Sequence, residues 1–204
     1  MHLLDQKILG IAVLLLLAML VLAKRITTGS ILDEPKGNLL IQLVNIFNLF
    51  FLLVVNPAAA VLLIVRSLET IDPTHVVVHA PSFLVALEVV GLVIYVAGFL
   101  LMAWALLSLG RSYQLGGTAP RHSDVMIKDG PYGLIRHPMY AAALCISFGL
   151  ACLIQSIAFF SVFCIYLVLI LLMIPLEERG LQQAYEKEYD IYSQTTARLI
   201  PFIY

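Results

Sequence analysis

The stretch Pro138–Pro175, PMYAAALCISFGLACLIQSIAFFSVFCIYLVLILLMIP, contains no charged side chain. As one helix it would run about 57 Å, against a hydrocarbon core of about 30 Å. Its central polar interruption is Gln155-Ser156. The stretch therefore reads as two antiparallel helices of about 17 and about 19 residues joined by a tight turn, each close to the length a membrane crossing needs. That hairpin sets the fold.

Outward from it lie three more apolar blocks, 8–23, 39–65 and 83–109, which bring the expected count to five transmembrane helices. Of the 204 residues 61% are hydrophobic and 12% charged, where a soluble domain carries about a quarter charged. The reading is all-α: a polytopic membrane helical bundle with the last two helices as a tight hairpin. A membrane barrel is excluded, since it would show alternating segments of about ten residues. Block 8–23 is read as a retained span and not a signal peptide, because its stronger positive flank, Lys24-Arg25, follows it and no small-x-small cleavage site is evident.

Five spans put the termini on opposite sides, and the basic residues supply an orientation. With the N-terminus outside, Lys24, Arg25, Lys36, Arg111, Arg121, Lys128, Arg136, Arg179, Lys187 and Arg198 fall on the cytoplasmic face, leaving Lys7 and Arg66 outside. The net charge of -1 gives no basic footprint for nucleic acid. Cys145, Cys152 and Cys164 sit in apolar segments without metal or redox spacing, so they read as packing residues and no metal is expected.

Within the spans, Gln42, Asn45 and Asn48 form a polar stripe on the second helix, which calls for hydrogen bonds to neighbouring helices, and Asn56-Pro57 marks a kink. Glu88 is an intramembrane carboxylate near the outer end of the third helix, within reach of water. The chain reads as one domain, 1–204. Residues 1–82 hold the N-terminal helices and 83–204 a catalytic core, with a long Gly- and Pro-containing loop at 110–137 and a tail at 176–204. In that tail Leu181, Tyr185, Tyr189 and Tyr192 recur at helical spacing, as an interfacial helix requires.

The hairpin geometry brings Arg136-His137-Pro138-Met139-Tyr140, at the start of the fourth helix, level with Glu177-Glu178, at the end of the fifth. Pro138 suits a first helical position. The unpaired N–H groups of that turn, together with Arg136, suit a carboxylate or phosphate. His137 and Tyr140 share a face, and the two glutamates offer acceptors for an ammonium, a sulfonium or ribose hydroxyls. A ligand carrying both a carboxylate and a cation matches this mixture. Membrane-edge anchoring is the plainer alternative for the same side chains.

The pattern Gly130-x-Tyr132, Arg136-His137-Pro138-x-Tyr140, Glu177-Glu178-x-x-Leu181, Tyr189-x-x-Tyr192 and Arg198-x-x-Pro201 resembles the isoprenylcysteine carboxyl methyltransferase family, whose wider relatives include phospholipid N-methyltransferases. The resemblance covers about the C-terminal 90 residues of the chain. It implies S-adenosyl-L-methionine bound at the cytosolic face beneath the tail, with S-adenosyl-L-homocysteine as product. The implied cofactor contacts are Gln114, Asp124, Val125, Met126, Ile127, Tyr132, His137, Pro138, Met139, Tyr140 and Glu177, while the chemistry of the residues themselves makes Arg136 and Glu178 the candidate catalytic pair. Arg136 would act electrostatically, and Glu178 or His137 would be the general base if the acceptor is an amine or hydroxyl. The acceptor is a lipophilic molecule reaching the site sideways from the membrane lipids. Two departures stand out: Met173 occupies the position of a substrate-holding Arg, and Tyr185-Glu186 stands where the family carries an aromatic-Gly pair. The first sets a prenylcysteine carboxylate against a phospholipid or other small lipid N/O-methyl acceptor. An NADPH-dependent sterol-type reductase shares an Arg-His-Pro-x-Tyr element but calls for more Arg and Lys to hold its phosphates; a non-enzymatic membrane adaptor is the remaining alternative.

Overall fold

A computed structural model describes residues 5–28, 39–65, 68–110 and 126–201. Among the described residues five apolar helices build the bundle: α1, Gln6–Thr28; α2, Leu39–Val65; α3, Pro81–Leu109; α4, Pro138–Ile154; and α5, Ile157–Thr195. Four have the length and apolarity to cross a membrane. The fifth, α4, is a shorter apolar helix of 17 residues, as the division at Gln155-Ser156 requires. The chain is thus an all-α membrane helical bundle, and α4 and α5 are its hairpin.

The turn of that hairpin is made by local chemistry. Gln155 takes a left-handed conformation (φ 57°, ψ 45°) that stops α4, and the Ser156 side chain accepts from the Phe159 N–H to start α5. The segment before α3 closes over this turn. Thr74 Oγ1 lies 3.0 Å from Ser156 Oγ, and the Val76 N–H donates to the Gln155 carbonyl at 2.8 Å.

In a bilayer, helices cannot be driven together by burying apolar surface, so close approach at small residues takes over. α3 and α4 show this most fully: a Cβ on Gly149 would lie 2.7 Å from the Gly91 carbonyl oxygen and 2.7 Å from the Tyr95 nitrogen. Gly98 meets the Ala142 carbonyl in the same way at 2.9 Å, and Gly10 of α1 meets the Ala60 carbonyl of α2 at 2.5 Å.

Polar side chains add cross-links. Tyr95 Oη donates to Asn56 Oδ1 at 2.8 Å, and Tyr166 Oη donates to Asn48 Oδ1. The stripe on α2 therefore works in part as interhelical bonding, as its spacing suggested. Pro57 lacks an N–H, and α2 adjusts by widening to a π-turn over Phe51–Val55, where the Asn56 side-chain amide donates to the Phe51 carbonyl at 3.0 Å. Glu88 departs from expectation. Although it lies toward the hairpin-turn end of α3, it is only 3% exposed, because its face of the helix packs into the bundle rather than toward water.

The helix directions separate the two ends. One holds the α4–α5 turn and the start of α1; the other holds the end of α3, the start of α4, the Glu177-Glu178 pair and the C-terminal segment. Among the described residues Lys24, Arg25, Lys128, Arg136, Arg179, Lys187 and Arg198 lie toward this second end, with Lys7 at the first. The tail is helical, as expected, but it does not begin as a separate element. α5 continues through Pro175 and Glu177-Glu178 to Tyr185, breaks at Glu186 (φ 48°, ψ -122°), and resumes to Thr195.

Candidate functional site

Three pieces of chain meet at the second end of the bundle. The first is the approach to α4. A 3-10 turn, Gly130–Gly133, leads into it, and Gly130 (φ 62°) packs so closely on α3 that a Cβ there would sit 2.6 Å from Ser108 Oγ. Ordinary side chains resist that φ as well as that contact. Pro138 is the first helical residue of α4 and His137 its cap, so Arg136 and His137 project from a fixed point.

The second piece is the end of α5, where the apolar run stops at Leu176 and Glu177-Glu178 follow on the same helix. The third is the segment beyond Glu186. It returns across the mouth of the bundle, and its residues Ala197 and Arg198 accept main-chain hydrogen bonds from Arg136 (2.7 Å) and His137 (3.0 Å). Tyr192 Oη donates to the Tyr132 carbonyl at 2.6 Å. Met126 is buried with Tyr189 and Tyr192 beneath this segment.

Glu178 is the electrostatic hub. Its Oε1 accepts from Arg136 Nε at 2.8 Å and from His137 Nε2 at 3.3 Å, and its Oε2 accepts from Arg198 Nε at 3.0 Å. Burial works to raise its pKa, but the hydrogen bonds from His137 and Arg136 and the Arg136 charge prevail and hold the carboxyl at about 2. Glu178 is therefore an anion with both oxygens engaged. Arg136 is equally committed, since its Nη1 donates to the Ser193 carbonyl at 2.8 Å and also to that of Thr196.

Glu177 shares the burial and the His137 neighbour but not the arginines. Its Oε2 is buried with no hydrogen-bond partner, and the nearest cationic or imidazole nitrogen is His137 Nδ1 at 3.7 Å. Burial pushes its pKa up, opposed by His137 and the Tyr140 hydroxyl and reinforced by the Glu178 charge. The His137 ring thus lies between the two glutamates, and it stacks on Tyr140 with centroids 5.6 Å apart. Because ionised Glu178 can only accept, Nε2 carries a hydrogen and Nδ1 is the nitrogen turned to Glu177. Close by in the fold, Tyr189 Oη is buried with no well-formed hydrogen bond beyond a loose approach to the Glu178 carboxylate, and burial followed by the Glu178 charge pushes its pKa up. Native interiors seldom leave such atoms unpaired.

The structure therefore brings together Arg136, His137, Tyr140, Glu177 and Glu178, with Tyr132 joined through its carbonyl and Met126 beneath the tail tyrosines. Ile127 is half-buried next in the chain, Pro138 is buried in the first turn of α4, and Met139, half-buried, packs against the main core of the bundle. Gln114, Asp124 and Val125 lie outside the described residues. Sequence reading gave no role to Arg198, Ser193 or Thr196. The Arg198-x-x-Pro201 pattern marked the first, but the other two act through main-chain carbonyls, which leave no mark in a sequence.

The phospholipid methyltransferase profile matches residues 87–188, which is half of the chain. No curated protein matches it. Among solved structures, that of the eukaryotic intramembrane Ras methyltransferase ICMT (isoprenylcysteine carboxyl methyltransferase) without a monobody superposes with a TM-score of 0.52 at 20% identity, covering 80% of this chain and 74% of that one. This likeness is one of fold. The profile spans α4, the Arg136–Tyr140 entrance and the Glu177-Glu178 pair, and with the apolar helices it establishes that the chain belongs to the phospholipid methyltransferase family of integral membrane methyltransferases.

Proposed function

We propose that the protein transfers a methyl group from S-adenosyl-L-methionine to a lipophilic acceptor in the membrane, at the end of the bundle where α4 begins. The observation that carries this reading is the orphaned Glu177 Oε2, facing the His137–Tyr140 stack beneath a covering tail. A buried, unpaired carboxylate oxygen is costly, and an ammonium or ribose hydroxyl of the cofactor would satisfy it. The cofactor, when bound, supplies an electrophilic methyl on a sulfonium.

Glu177, His137 and Tyr140 would hold the polar parts of the cofactor. The family resemblance adds Gln114, Asp124, Val125, Met126, Ile127, Tyr132, Pro138 and Met139. Displacement at a methyl group requires alignment and exclusion of water more than acid–base work, and the tail with Tyr189 and Tyr192 supplies the cover. An amine or hydroxyl acceptor must also lose a proton. Glu178, held by two arginines, is a poor base; with Glu177 Oε2 given to the cofactor, His137 Nδ1, turned away from Glu178, is the remaining acceptor for that proton. Glu178 then serves the reaction by fixing Arg136 and the Nε2 edge of His137.

The acceptor reading favours a phospholipid or other small lipid amine or alcohol over a prenylcysteine carboxylate. Met173 is buried in an apolar cluster with Ile41, Val44, Ile170, Ile174 and Leu199, so among the described residues that cluster offers no cation to a substrate carboxylate. An NADPH site is disfavoured because Arg136 and Arg198 are spent on Glu178. With the basic residues gathered at the site end, the site and C-terminus face the cytoplasm and the N-terminus lies outside.

Calorimetry of the detergent-purified protein separates these readings. Saturable binding of S-adenosylhomocysteine, lost in Glu177→Ala and His137→Ala, supports methyl transfer. Binding of NADPH in its place, or of neither, refutes it. Mass spectrometry of lipid extracts incubated with methyl-labelled cofactor then identifies the acceptor.

A further inference from the structure

Glu186 is the one residue within α5 that leaves helical geometry, at φ 48° and ψ -122°. A residue with a side chain populates that region rarely and stays there only when its surroundings impose it. The chain beyond it, residues 187–201, is therefore held down rather than allowed to continue the helix.

What holds it can be named. Arg136 and His137 donate main-chain hydrogen bonds to Ala197 and Arg198. Tyr192 donates to the Tyr132 carbonyl, and Lys128 pairs with Glu188 at 2.6 Å. The Lys128–Glu188 pair has side chains 44% and 51% exposed, where water screens it and its contribution is small. The Arg136 side chain is different. Its Nε hydrogen and the two on Nη1 are matched by three acceptors: Glu178 on the wall, and the Ser193 and Thr196 carbonyls on the segment itself. With Arg198 on the other oxygen of Glu178, one carboxylate ties both the entrance and the tail to α5.

We propose that residues 187–201 form a strap that opens about Glu186, and that Arg136 is its latch. Arg136 then acts on the reaction as a positioning residue: it sets how often the strap is closed and touches neither the transferred group nor the acceptor. The backbone conformation of Glu186 biases the strap toward opening, so the closed state is held against a built-in opposing strain. The proposal rests on the methyl-transfer reading only for what enters beneath the strap.

Hydrogen exchange on the full-length, ligand-free protein in detergent tests the strap directly. Glu186→Gly, which accepts the observed φ without strain, should slow exchange across 187–201 by about tenfold, and Arg136→Gln should accelerate it by a similar factor. Combining the two changes should restore exchange toward the starting rate. Unchanged exchange in Glu186→Gly, or a combined variant no slower than Arg136→Gln, overturns the strap. For the latch, Arg136→Gln should raise the KM for S-adenosylmethionine and speed release of S-adenosylhomocysteine by about tenfold, with a smaller loss in kcat than in kcat/KM. Arg136→Lys should recover part of the KM. A kcat collapse at saturating cofactor that Glu186→Gly does not rescue would place Arg136 at the reacting atoms and overturn the latch. If exchange responds as stated but S-adenosylhomocysteine does not bind the unsubstituted protein, the strap is supported and the methyl-transfer reading fails.

Discussion

The Arg136 guanidinium and the Glu178 carboxylate meet at 2.8 Å although 42 positions separate them. The α4–α5 hairpin makes the meeting possible. Two short antiparallel helices leave and return at the same depth, so a residue before Pro138 faces one after Pro175. The pair is little exposed, at 10% and 12%. Its surroundings extend to His137, Arg198 and two tail carbonyls, so it holds the entrance, the wall and the tail in one arrangement.

Replacing Glu178 with Ala removes the partner of both arginines and leaves Arg136 part-buried without a counter-charge. Breaking one side of such a pair costs about 3 kcal/mol. A thermal or denaturant melt in detergent should show Glu178→Ala destabilised by that order and Glu178→Gln by less, since the amide keeps an acceptor oxygen. Equal stability of all three proteins would show the arginines to be satisfied by water and the tail carbonyls alone.

The neighbouring glutamates should respond to pH with opposite signs. Glu178 has its folded pKa held at about 2, below its ordinary 4.5. The unfolded chain binds the extra proton, so this contribution to stability is complete above 4.5 and is lost as the pH falls toward 2. Glu177 has its folded pKa raised above 4.5 by burial. Its contribution is complete below 4.5 and is lost as the pH climbs through the folded value. Glu177→Gln should therefore make the ligand-free protein at least as stable at neutral pH and flatten the decline above 4.5. The same change should weaken S-adenosylhomocysteine by about tenfold or more, the worth of a hydrogen bond to a charged group. A variant that loses stability and keeps affinity would contradict both expectations.

How far the sequence foretold this arrangement depended on what kind of signal each feature leaves. Gln155-Ser156 gave the hairpin because a polar pair amid hydrocarbon has few other uses, and the structure shows one residue ending α4 and the other capping α5. Apolar blocks located the spans but not all their ends: α1 runs Gln6–Thr28 where the block covers 8–23, since Lys24, Arg25 and Ile26 continue a helix perfectly well outside hydrocarbon. Asn56-Pro57 announced a disturbance in α2 without saying that it would take the form of a π-turn. Hairpin geometry placed both glutamates at the site, yet their division of labour depends in part on Ser193, Thr196 and Arg198, which the chain delivers only by turning at Glu186. No Gly or Pro marks that turn, so propensity gave no warning of it.

Gly149 should tolerate no side chain. A Cβ there would meet the Gly91 carbonyl oxygen and the Tyr95 nitrogen, both at 2.7 Å and both backbone atoms that cannot turn aside. Gly149→Ala should force α3 and α4 apart and cost about 1–3 kcal/mol, the usual range for overpacking. Gly180→Ala is the control, since nothing lies within 4 Å of a Cβ at that position. It should melt with the original protein or slightly above it, because Ala favours helix. If Gly149→Ala also melts unchanged, α3 and α4 are not held at the separation seen here.

Tyr95 is fully buried, and its hydroxyl donates to Asn56 Oδ1 at 2.8 Å, linking α3 to the π-turn of α2. Tyr95→Phe keeps the ring, including its contact with Phe99 at 4.9 Å between centroids, and removes only the donor. Interhelical hydrogen bonds in membranes are worth about 0.6 kcal/mol on average and about 1.7 at most. Asn56 is buried as well, and water cannot easily take the place of the lost hydroxyl. The expected loss is therefore toward the upper end, about 1 kcal/mol or more. A double-mutant cycle with Asn56→Ala isolates the pair: Tyr95→Phe should cost much less once Asn56 is gone, although Asn56→Ala also removes the amide's bond to the Phe51 carbonyl. An undiminished cost in that background would show that Tyr95 acts through its packing and not through Asn56.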